Sequence, residues 1–374
     1  MTHLTEHMKQ LRIIISGGGS GGHIFPAIAI ARSLLEKNKN IKFLFVGAKN
    51  KMEMEKVPNE GFKIKGLWIS GFQRRLTIKN VLFPLKLLFS LVSSVLIIKR
   101  FKPDLVIGTG GFASGPILYV ASKSNIPTLI QEQNSYAGIT NRILSKYVNL
   151  ICVAYQNMDK FFPKEKICIT GNPIRKSILE DNYSFDEAIK KFDLDPKKST
   201  VLVIGGSLGA RTINESILEG LNKIKNNDLN LIWQTGEAFS AKANKGINQI
   251  NTQGISTFSF IKEIELAYKV ADIIISRAGA IAISELCSVG KPVILVPSPN
   301  VAENHQYKNA QSLVNKNAAL MVKDTDANDK LVETIIDLKN NNGIREDLSR
   351  NIKTMELKDA SKVIADYALE LLRK

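Results

Sequence analysis

Short runs of β-branched and other apolar residues alternate with segments of helical period along the chain, and this alternation is typical of parallel α/β sheets. In the first half, the apolar runs predict strands at residues 11–15, 41–46, 105–107, 128–130 and 150–153. In the second half, they predict strands at residues 201–204, 229–233, 256–260, 273–276, 293–296 and 319–322. The intervening segments predict helices, including residues 26–37, 211–223, 281–288 and 303–315, and a final amphipathic helix at 360–372.

The second half restarts with its own strand and glycine turn, VLVIGGSLGAR at residues 201–211. Two Rossmann-like units in tandem explain this restart better than one large sheet. The change-over is predicted at Gly171-Asn172-Pro173, where a proline follows a strand-like run. This gives domains at residues 1–172 and 173–355, and it leaves open whether a final helix, about residues 356–374, packs back on the first domain.

An apolar stretch at residues 81–98, VLFPLKLLFSLVSSVLII, approaches the length of a membrane span. Pro84 and Lys86 interrupt it, and the unbroken part is about a dozen residues, short of the roughly 20 that a spanning helix needs. Cations on both sides suit a helix that lies on anionic headgroups. We expect residues 91–98 to form a buried core helix. Docking on a membrane surface and packing in the core are equally open for Leu82, Phe83, Leu85 and Lys86.

The net charge of +16 is distributed unevenly. Residues 1–172 carry 24 Lys and Arg against 9 Asp and Glu, whereas the remainder carries 27 against 26. The asymmetry predicts a negatively charged partner for the first half, either nucleic acid or an anionic membrane. The hydrophobic fraction of 44%, three scattered cysteines and a polar start without an export signal indicate a globular protein of a reducing compartment.

The segment LRIIISGGGSGGHIFP at residues 11–26 joins a strand to five glycines, a serine, a histidine and a proline predicted to open a helix. Glycines let a phosphate or sugar approach backbone N–H groups, and the helix directs its positive end at the same point. His23 adds a side chain that can move a proton near neutral pH. The glycine spacing also matches a dinucleotide fingerprint, but the strand at 41–46 ends without the acid that would hold a ribose, which disfavours an oxidoreductase.

Two more loops of the first half also follow predicted strands, IGTGGFASGP at 107–116 and QEQNSYAGITNR at 131–142. Because the carboxyl ends of parallel strands share one edge, these loops should face the same cleft as the glycine loop. Glu132 and Asn134 are candidates to reach that cleft, with helix capping as the alternative. The three loops predict a polar pocket for a sugar or another hydroxylated acceptor.

In the second half, the most specific segment is SRAGAIAISELCSVGKPVILVP at residues 276–297. Gly279 and Ala280 open a helix with small residues, so a diphosphate could approach its N-terminus. Glu285 on that helix can accept both hydroxyls of a ribose, and Arg175 offers a forked donor to phosphate. Two DxD tripeptides, at 193–195 and 324–326, could hold a metal ion, but their positions favour caps and solvated turns. No metal or cofactor is therefore predicted.

Taken together, GGGSGGHIFPAIAIA, GTGGFASGP, QEQNSYAGITN, GNPIR, GGSLGAR, SRAGAIAISE and ENHQYKNA resemble the MurG family of N-acetylglucosaminyltransferases, in family order between residues 13 and 310. The resemblance implies a GT-B fold, in which two Rossmann-like domains face one cleft. It implies metal-independent, inverting transfer of N-acetylglucosamine from UDP-N-acetylglucosamine (UDP-GlcNAc) to the C4 hydroxyl of the muramoyl sugar of lipid I. The product, lipid II, is the peptidoglycan precursor. The implied location is the cytoplasmic face of the inner membrane, as a peripheral protein on anionic phospholipid, with no nucleic acid as partner.

By motif position, the resemblance implies a catalytic base, for which His23 is preferred over Glu132, with a binding or structural role for His23 also open. Ser20 to Gly22 would border the donor sugar and diphosphate, and Glu285 would hold the ribose. The implied substrate-binding residues are Ser20, Gly21, Gly22, Asn134, Arg175, Ser207, Ile261, Ala280, Ile281, Ala282, Ile283, Ser284, Glu285 and Gln306. The chain departs from the family pattern at Gln131, where histidine is common, and at His305, where glutamine is common.

Three alternatives stay open at this point. A glycosyltransferase of similar fold could use a diacylglycerol acceptor, and a UDP-GlcNAc epimerase would need no membrane. A nucleic-acid-binding protein would use the basic face, although no RRM, KH or zinc-finger pattern is present.

Overall fold

The structure is a computed structural model that describes residues 10–71, 82–179, 183–206, 209–250 and 253–373. The chain divides into two compact units, Met1–Ile174 with Leu357–Lys374, and Arg175–Glu356. The boundary predicted from the sequence lies after residue 172, with the segment from about residue 356 left unassigned.

The first unit is built on a seven-stranded parallel sheet with the strand order β3-β2-β1-β4-β5-β6-β7. Its strands are β1 (Leu11–Ser16), β2 (Ile41–Ala48), β3 (Ile64–Leu67), β4 (Leu105–Gly108), β5 (Thr128–Glu132), β6 (Leu150–Val153) and β7 (Ile167–Ile169). Its first helices are α1 (Gly21–Lys37), α2 (Glu53–Asn59), α3 (Phe83–Phe101), α4 (Ser114–Lys123) and α5 (Ile139–Leu144). Residues of α3, α4 and α5 bury one face of the sheet, and residues of α1 bury the other.

The second unit repeats this plan on a six-stranded parallel sheet with the order β10-β9-β8-β11-β12-β13. Its strands are β8 (Ser199–Ile204), β9 (Leu229–Gln234), β10 (Ile255–Phe258), β11 (Ile273–Ser276), β12 (Val293–Leu295) and β13 (Leu320–Met321). Its helices are α6 (Lys176–Leu179), α7 (Phe185–Phe192), α8 (Arg211–Glu219), α9 (Leu221–Asn226), α10 (Glu237–Ile250), α11 (Ile264–Val270), α12 (Ala280–Val289), α13 (His305–Val314), α14 (Ala327–Asn340) and α15 (Asn342–Lys353).

The last helix, α16 (Ala360–Leu371), belongs to the first unit. Ile364, Ala365 and Ala368 are buried in the same cluster as the apolar side of α1. At the far end of α1, Lys37 Nζ lies 2.8 Å from Asp366 Oδ1. The sheet face of the first unit is therefore completed by residues from both ends of the chain.

The two parallel α/β sheets confirm the predicted fold class, and each predicted strand is present with small shifts of its ends. The edge strand β3 was not predicted, and β7 was noted only as the strand-like run before Gly171. The first helix begins at Gly21 rather than Pro26, so Pro26 lies inside it and His23 lies in its first turn. The helix predicted at 211–223 is divided into α8 and α9 at Gly220.

The expectation of a buried core helix at residues 91–98 holds for Ile97 and Ile98 but is wrong for Val92, Val95 and Leu96, which are exposed. Leu85, Leu88, Phe89, Val92 and Leu96 are exposed and follow helical spacing along one side of α3. Ser90 and Ser94 are fully buried on the other side, where Ser90 Oγ donates to Trp68 O and Ser94 Oγ donates to Ser90 O. Solvent-facing leucines over buried serines are the reverse of the usual helix in a globular protein.

Candidate active site

The glycine loop leaves β1 at Ser16 and enters α1 at Gly21, with Ser20 at the N-cap in an extended conformation. Gly19 has a φ of +83°, a region that glycine adopts without strain. Thr109 Oγ1, after β4, donates to the carbonyl oxygen of His23 at 2.7 Å. The start of α1 is thus fixed to the end of a neighbouring strand.

His23 directs its imidazole back over this loop. Its Nδ1 lies 3.0 Å from the carbonyl oxygen of Gly18 and 3.1 Å from Ser20 Oγ. Its Nε2 lies on the side of Gly110, where an added Cβ would sit 3.1 Å away. A carbonyl can only accept a hydrogen bond, so this geometry favours a proton on Nδ1 and the basic lone pair on Nε2.

One donor of the glycine loop is occupied by the protein itself. Gly19 N–H points at the Glu53 carboxylate, 3.1 Å from Oε2 and 3.3 Å from Oε1, and Glu53 is fully buried at the start of α2. Glu53 was not among the residues predicted from the sequence. An acid in the first helical turn after β2, beside two glycine turns, is the signal that was available.

Glu132 ends β5 and is 2% exposed. Its Oε1 accepts from Asn134 N–H at 3.1 Å and from Asn134 Nδ2 at 3.3 Å. Its Oε2 accepts from Gly138 N–H at 3.0 Å and from Asn141 Nδ2 at 2.9 Å. Burial raises the pKa of Glu132, while these hydrogen bonds act in the opposite direction. The Glu132 carboxylate thus holds the loop from β5 to α5 in place through four hydrogen bonds.

Gln131, the first departure from the family pattern, is fully buried beside this loop. Its Nε2 donates to Asn172 Oδ1 at 2.8 Å, and Asn172 Nδ2 donates to Gln133 O at 3.0 Å. Gln133 Nε2 donates to Thr109 O at 2.7 Å. Gln131 is therefore part of a buried amide network that joins β5 to the loop after β4.

In the second unit, Glu285 lies on α12 and is 8% exposed. Arg175 Nε is 3.6 Å from Glu285 Oε1, and Tyr268 forms a side-chain hydrogen bond with the same carboxyl. Burial raises the pKa of Glu285 to about 7, against the lowering effect of the Arg175 charge. Sequence reasoning did not find Tyr268, a buried residue on α11, which lies in an apolar run.

The other predicted donor-binding residues of this unit are distributed as follows. Ala280 to Glu285 form the first part of α12, whose N-cap is Gly279, and Ser284 Oγ donates to Ala280 O. Ile261 N–H donates to Gln234 Oε1 at 3.0 Å, and Gln306 Oε1 accepts from Ser298 N–H at 2.8 Å. Ser207 lies outside the described residues. The structure thus brings Arg175 and Glu285 together, and it assigns internal partners to the Ile261 amide and to the side-chain oxygen of Gln306.

The DxD tripeptides have protein partners. Arg277 Nη1 pairs with Asp324 Oδ1, and Thr212 Oγ1 donates to Asp324 Oδ2 at 2.9 Å. Asp326 accepts from Thr325 Oγ1 and Lys330 Nζ, and Asp195 Oδ1 accepts from Lys197 N–H. Across the residues that the structure describes, no group of three or more His, Cys, Asp or Glu side chains could hold a metal ion.

The exposed apolar side of α3 continues onto Trp68, whose ring lies 5.6 Å from that of Phe89. We call Trp68, Leu85, Leu88, Phe89, Val92 and Leu96 the apolar stripe. Of the predicted membrane residues, Leu82 and Leu85 are exposed and Phe83 is half-buried. Lys86 Nζ lies 5.9 Å from the centre of the Trp68 ring and donates to Ser70 Oγ at 3.1 Å. None of the described helices is long and apolar enough to cross a membrane.

Comparison with known proteins places the chain among glycosyltransferases. The glycosyltransferase family 28 N-terminal domain matches residues 13–153, and the family 28 C-terminal domain matches residues 200–364. A crystal structure of Acinetobacter baumannii MurG is 26% identical, with a TM-score of 0.78, over 96% of this chain and 99% of that one. A Neisseria meningitidis UDP-GlcNAc 2-epimerase, at 16% identity and a TM-score of 0.66, shares the fold alone.

The curated relatives are more similar still. A protein of Flavobacterium psychrophilum is 51% identical over 98% of this chain and 99% of its own length. One of Cytophaga hutchinsonii is 50% identical over 97% of this chain and 98% of its own. Both carry the name UDP-N-acetylglucosamine–N-acetylmuramyl-(pentapeptide) pyrophosphoryl-undecaprenol N-acetylglucosamine transferase. With both family domains matched and this identity over nearly the whole length, the chain belongs to glycosyltransferase family 28, in the MurG group that its motifs resemble.

Proposed function

We propose that this protein transfers N-acetylglucosamine from UDP-GlcNAc to the muramoyl sugar of lipid I, giving lipid II and UDP. The observation that carries the proposal is about 50% identity, over nearly full length, to relatives named for this reaction. The shared fold alone would not decide it, because epimerases have the same architecture.

The test is the transfer of labelled N-acetylglucosamine from UDP-GlcNAc to a lipid I analogue, beside diacylglycerol and beside a reaction without lipid. We expect labelled product only with the lipid I analogue. Labelled diacylglycerol would indicate the alternative acceptor, and lipid-free conversion of UDP-GlcNAc would indicate an epimerase.

His23 is the proposed base. The α-linked donor and the β-linked product imply one inverting displacement at the anomeric carbon, during which the C4 hydroxyl of the acceptor loses its proton. The contact between Nδ1 and Gly18 O leaves Nε2 as the basic nitrogen of the ring. Glu132 is the weaker candidate, because its carboxylate oxygens already accept four hydrogen bonds and it is almost fully buried.

We assign Asn141 a place beside the acceptor, a residue that the sequence analysis did not single out. Its Nδ2 donates to Glu132 Oε2 and to Gln131 O, which fixes the orientation of the amide. Its buried Oδ1 has no hydrogen-bond partner among the described residues. Asn141 Nδ2 lies 3.6 Å, and His23 Nε2 3.1 Å, from the point where a Gly110 Cβ would sit, so the Asn141 amide lies close to the proposed base.

The nucleotide part of the donor is proposed to bind to the second unit. Glu285 would accept the ribose hydroxyls, while the N-terminus of α12 and Arg175 would stabilise the charge that develops on the leaving diphosphate. Ile261 and Gln306 stay proposed contacts of the nucleotide, with the Ile261 carbonyl as the group available to uracil because its N–H already donates to Gln234. Ser207 is proposed to approach the phosphate, Asn134 the donor sugar, and Ser20 to Gly22 the sugar and diphosphate.

The apolar stripe is proposed to rest on an anionic phospholipid surface, as suits an enzyme with a lipid-linked acceptor. Burial of the α3 serines leaves its leucines outside, and the residues up to 172 carry the excess of Lys and Arg. The proposed location is the cytoplasmic face of the inner membrane, where the donor nucleotide is available.

Sedimentation with phosphatidylglycerol-containing vesicles tests this placement. Leu88→Glu should reduce the bound fraction severalfold, because a carboxylate would enter the acyl boundary. Ile344→Glu, an exposed apolar residue of α15, is the matched control. Equal loss in both variants, or tighter salt-sensitive binding to RNA than to vesicles, would contradict the proposal.

A further inference from the structure

A single peptide group, Gly18–Gly19, connects a buried carboxylate with the proposed base. Its N–H, on Gly19, lies 3.1 Å from Glu53 Oε2 and 3.3 Å from Oε1. Its C=O, on Gly18, lies 3.0 Å from His23 Nδ1. Because the peptide bond is a planar, conjugated unit, a negative charge at its N–H end increases the electron density on its oxygen.

Glu53 is built into this position. It is 0% exposed, and its Oε1 also accepts from the N–H of Ala48, the last residue of β2, at 2.9 Å. The described contacts of the carboxylate are thus backbone N–H groups of the glycine loop and of the end of β2. This is the strand end where a dinucleotide-binding protein places its ribose-binding acid. Here the acid comes from α2 and turns inward to the loop.

Three glycines leave the space that the arrangement needs. A Cβ on Gly18 would lie 2.1 Å from Glu53 Oε1, and one on Gly47 would lie 2.5 Å from Glu53 Cγ. A Cβ on Gly111, whose φ is +81°, would lie 2.2 Å from Gly18 O, the atom that His23 contacts. The glycines therefore allow the Glu53 carboxylate, the Gly18–Gly19 peptide group and the His23 imidazole to come within hydrogen-bonding distance of one another, in addition to any space they leave for a ligand.

We propose that Glu53 is a positioning residue for His23, acting through the Gly18–Gly19 peptide group. The buried charge holds Gly18 O as an acceptor, which keeps the proton of neutral His23 on Nδ1 and stabilises the imidazolium that forms during transfer. In the Ser-His-Asp triad, a carboxylate accepts directly from histidine Nδ1–H, which fixes the tautomer and stabilises the imidazolium. Here one peptide unit stands between the two groups.

The inference rests on the proposed role of His23 as base. In that step Nε2 takes the proton of the acceptor C4 hydroxyl while its oxygen bonds to the anomeric carbon. The bond from that carbon to the UDP oxygen breaks, and its electron pair leaves with UDP. Glu53 gains and loses no proton.

Other charged groups lie on the elements that pack around His23. Glu132 approaches from β5, with Asn141 between. On α1 itself, Arg32 pairs with Glu60 and Lys37 with Asp366, more than two turns beyond His23. Glu53 is the carboxylate coupled to Nδ1 through hydrogen bonds, so its neutralisation should dominate any change in the titration of His23.

The experiment compares Glu53→Gln with Glu53→Asp and with Glu55→Gln, an exposed residue of the same helix that serves as control. Imidazole ¹⁵N spectra give the titration midpoint and tautomer of His23, and the chain's four histidines allow assignment by His23→Ala. We expect Glu53→Gln to lower the midpoint by about one pH unit. The acid limb of kcat should shift by the same amount, and kcat should fall roughly tenfold at an unchanged KM for UDP-GlcNAc. Glu53→Asp keeps the charge, so it should shift the His23 midpoint much less than Glu53→Gln does. Glu55→Gln should leave both the midpoint and kcat unchanged.

An unchanged midpoint in a folded Glu53→Gln protein, or equal shifts in the Gln and Asp variants, would overturn the inference. If Glu53→Gln does not fold, the ¹⁵N tautomer of His23 in the unmodified protein still tests the inference. A neutral His23 with its proton on Nε2 would be incompatible with the proposed coupling through Gly18 O. Full activity of His23→Ala would instead remove the proposed base, while the shifted midpoint would still report the coupling to Glu53.

Discussion

Each unit buries a glutamate near a glycine-containing turn that follows a strand, and the two glutamates have opposite surroundings. Glu53 in the first unit accepts from the N–H groups of Gly19 and Ala48. Glu285 in the second unit has Arg175 Nε at 3.6 Å and a hydrogen bond with Tyr268, and burial raises its pKa to about 7. The Glu53 carboxylate accepts hydrogen bonds from backbone N–H groups of its own unit, whereas the Glu285 carboxylate is buried with few hydrogen-bond donors around it.

This difference indicates a structural role for Glu53 and a ligand-binding role for Glu285. A buried carboxylate with several backbone donors is stable without substrate and fixes the loop around it. A buried carboxylate short of donors costs stability until hydroxyl groups arrive. The ribose of the donor would supply them to Glu285, and the following predictions test whether the two units divide the work in this way.

The largest effect is expected for His23→Ala. Loss of the base should lower kcat by roughly 10²–10⁴-fold, with little change in the affinity for UDP-GlcNAc, because the nucleotide part of the donor is assigned to the second unit. Transfer to a lipid I analogue and calorimetric binding of the donor measure the two quantities, with His7→Ala as control. A loss of affinity alone would move His23 to donor binding and would break the division between the units.

Glu285→Ala should act in the opposite way, on binding. Removing an acceptor of two ribose hydrogen bonds should weaken UDP-GlcNAc about 10- to 100-fold, which corresponds to the usual strength of charged hydrogen bonds. The dissociation constant of UDP measures this, and Glu333→Gln, an exposed acid of α14, is the matched control. Unchanged affinity would eliminate the ribose role.

The pH dependence of donor binding sharpens the same assignment. Because the pKa of Glu285 is raised to about 7, its ionised fraction falls as the pH drops from 8 to 6. Ribose hydroxyls donate to the ionised form, so the affinity for UDP should fall about tenfold over that interval. Glu285→Gln should bind weakly and without this slope. An equal slope in the variant would assign the titration to another group.

The smallest effect is expected on the stability of the ligand-free protein. A carboxyl whose pKa is raised by folding stabilises the protein fully below pH 4.5, and this contribution is lost as the pH rises through about 7. The loss is at most about 3 kcal/mol, or a few degrees in the unfolding temperature. Thermal unfolding at pH 5.5 and pH 8, with and without UDP, should show a decrease that Glu285→Gln reduces. A larger decrease in that variant would contradict the assignment.

The sequence was sufficient for the interior of both sheets, because strands such as β1 and β11 are uninterrupted β-branched runs. It was insufficient for the edge strand β3, whose four residues have one neighbouring strand and carry no clear pattern. In α3 the period marks two sides of the helix but does not say which of them faces the sheet. Ser90 and Ser94 can be buried because each hydroxyl donates to a main-chain oxygen, of Trp68 and of Ser90 respectively.

The same limit applies to the candidate site. His23 and Glu285 could be found because glycines and small residues surround them in the sequence. Glu53 had only the weak signal of an acid in the first helical turn after β2, since its role depends on a contact between α2 and a loop 34 residues earlier in the chain. Tyr268 is similar, because its hydroxyl meets Glu285 only after two helices of the second unit pack together.

The position of α16 has a consequence for the order in which the protein is made. Ile364, Ala365 and Ala368 complete a core whose other members leave the ribosome first. At about 5–20 residues per second, translation of the second unit alone takes roughly 10–40 seconds, and during that time the apolar side of α1 lacks its cover. The second unit, which is continuous in the chain, can finish folding first. The first unit cannot complete this core until α16 is released.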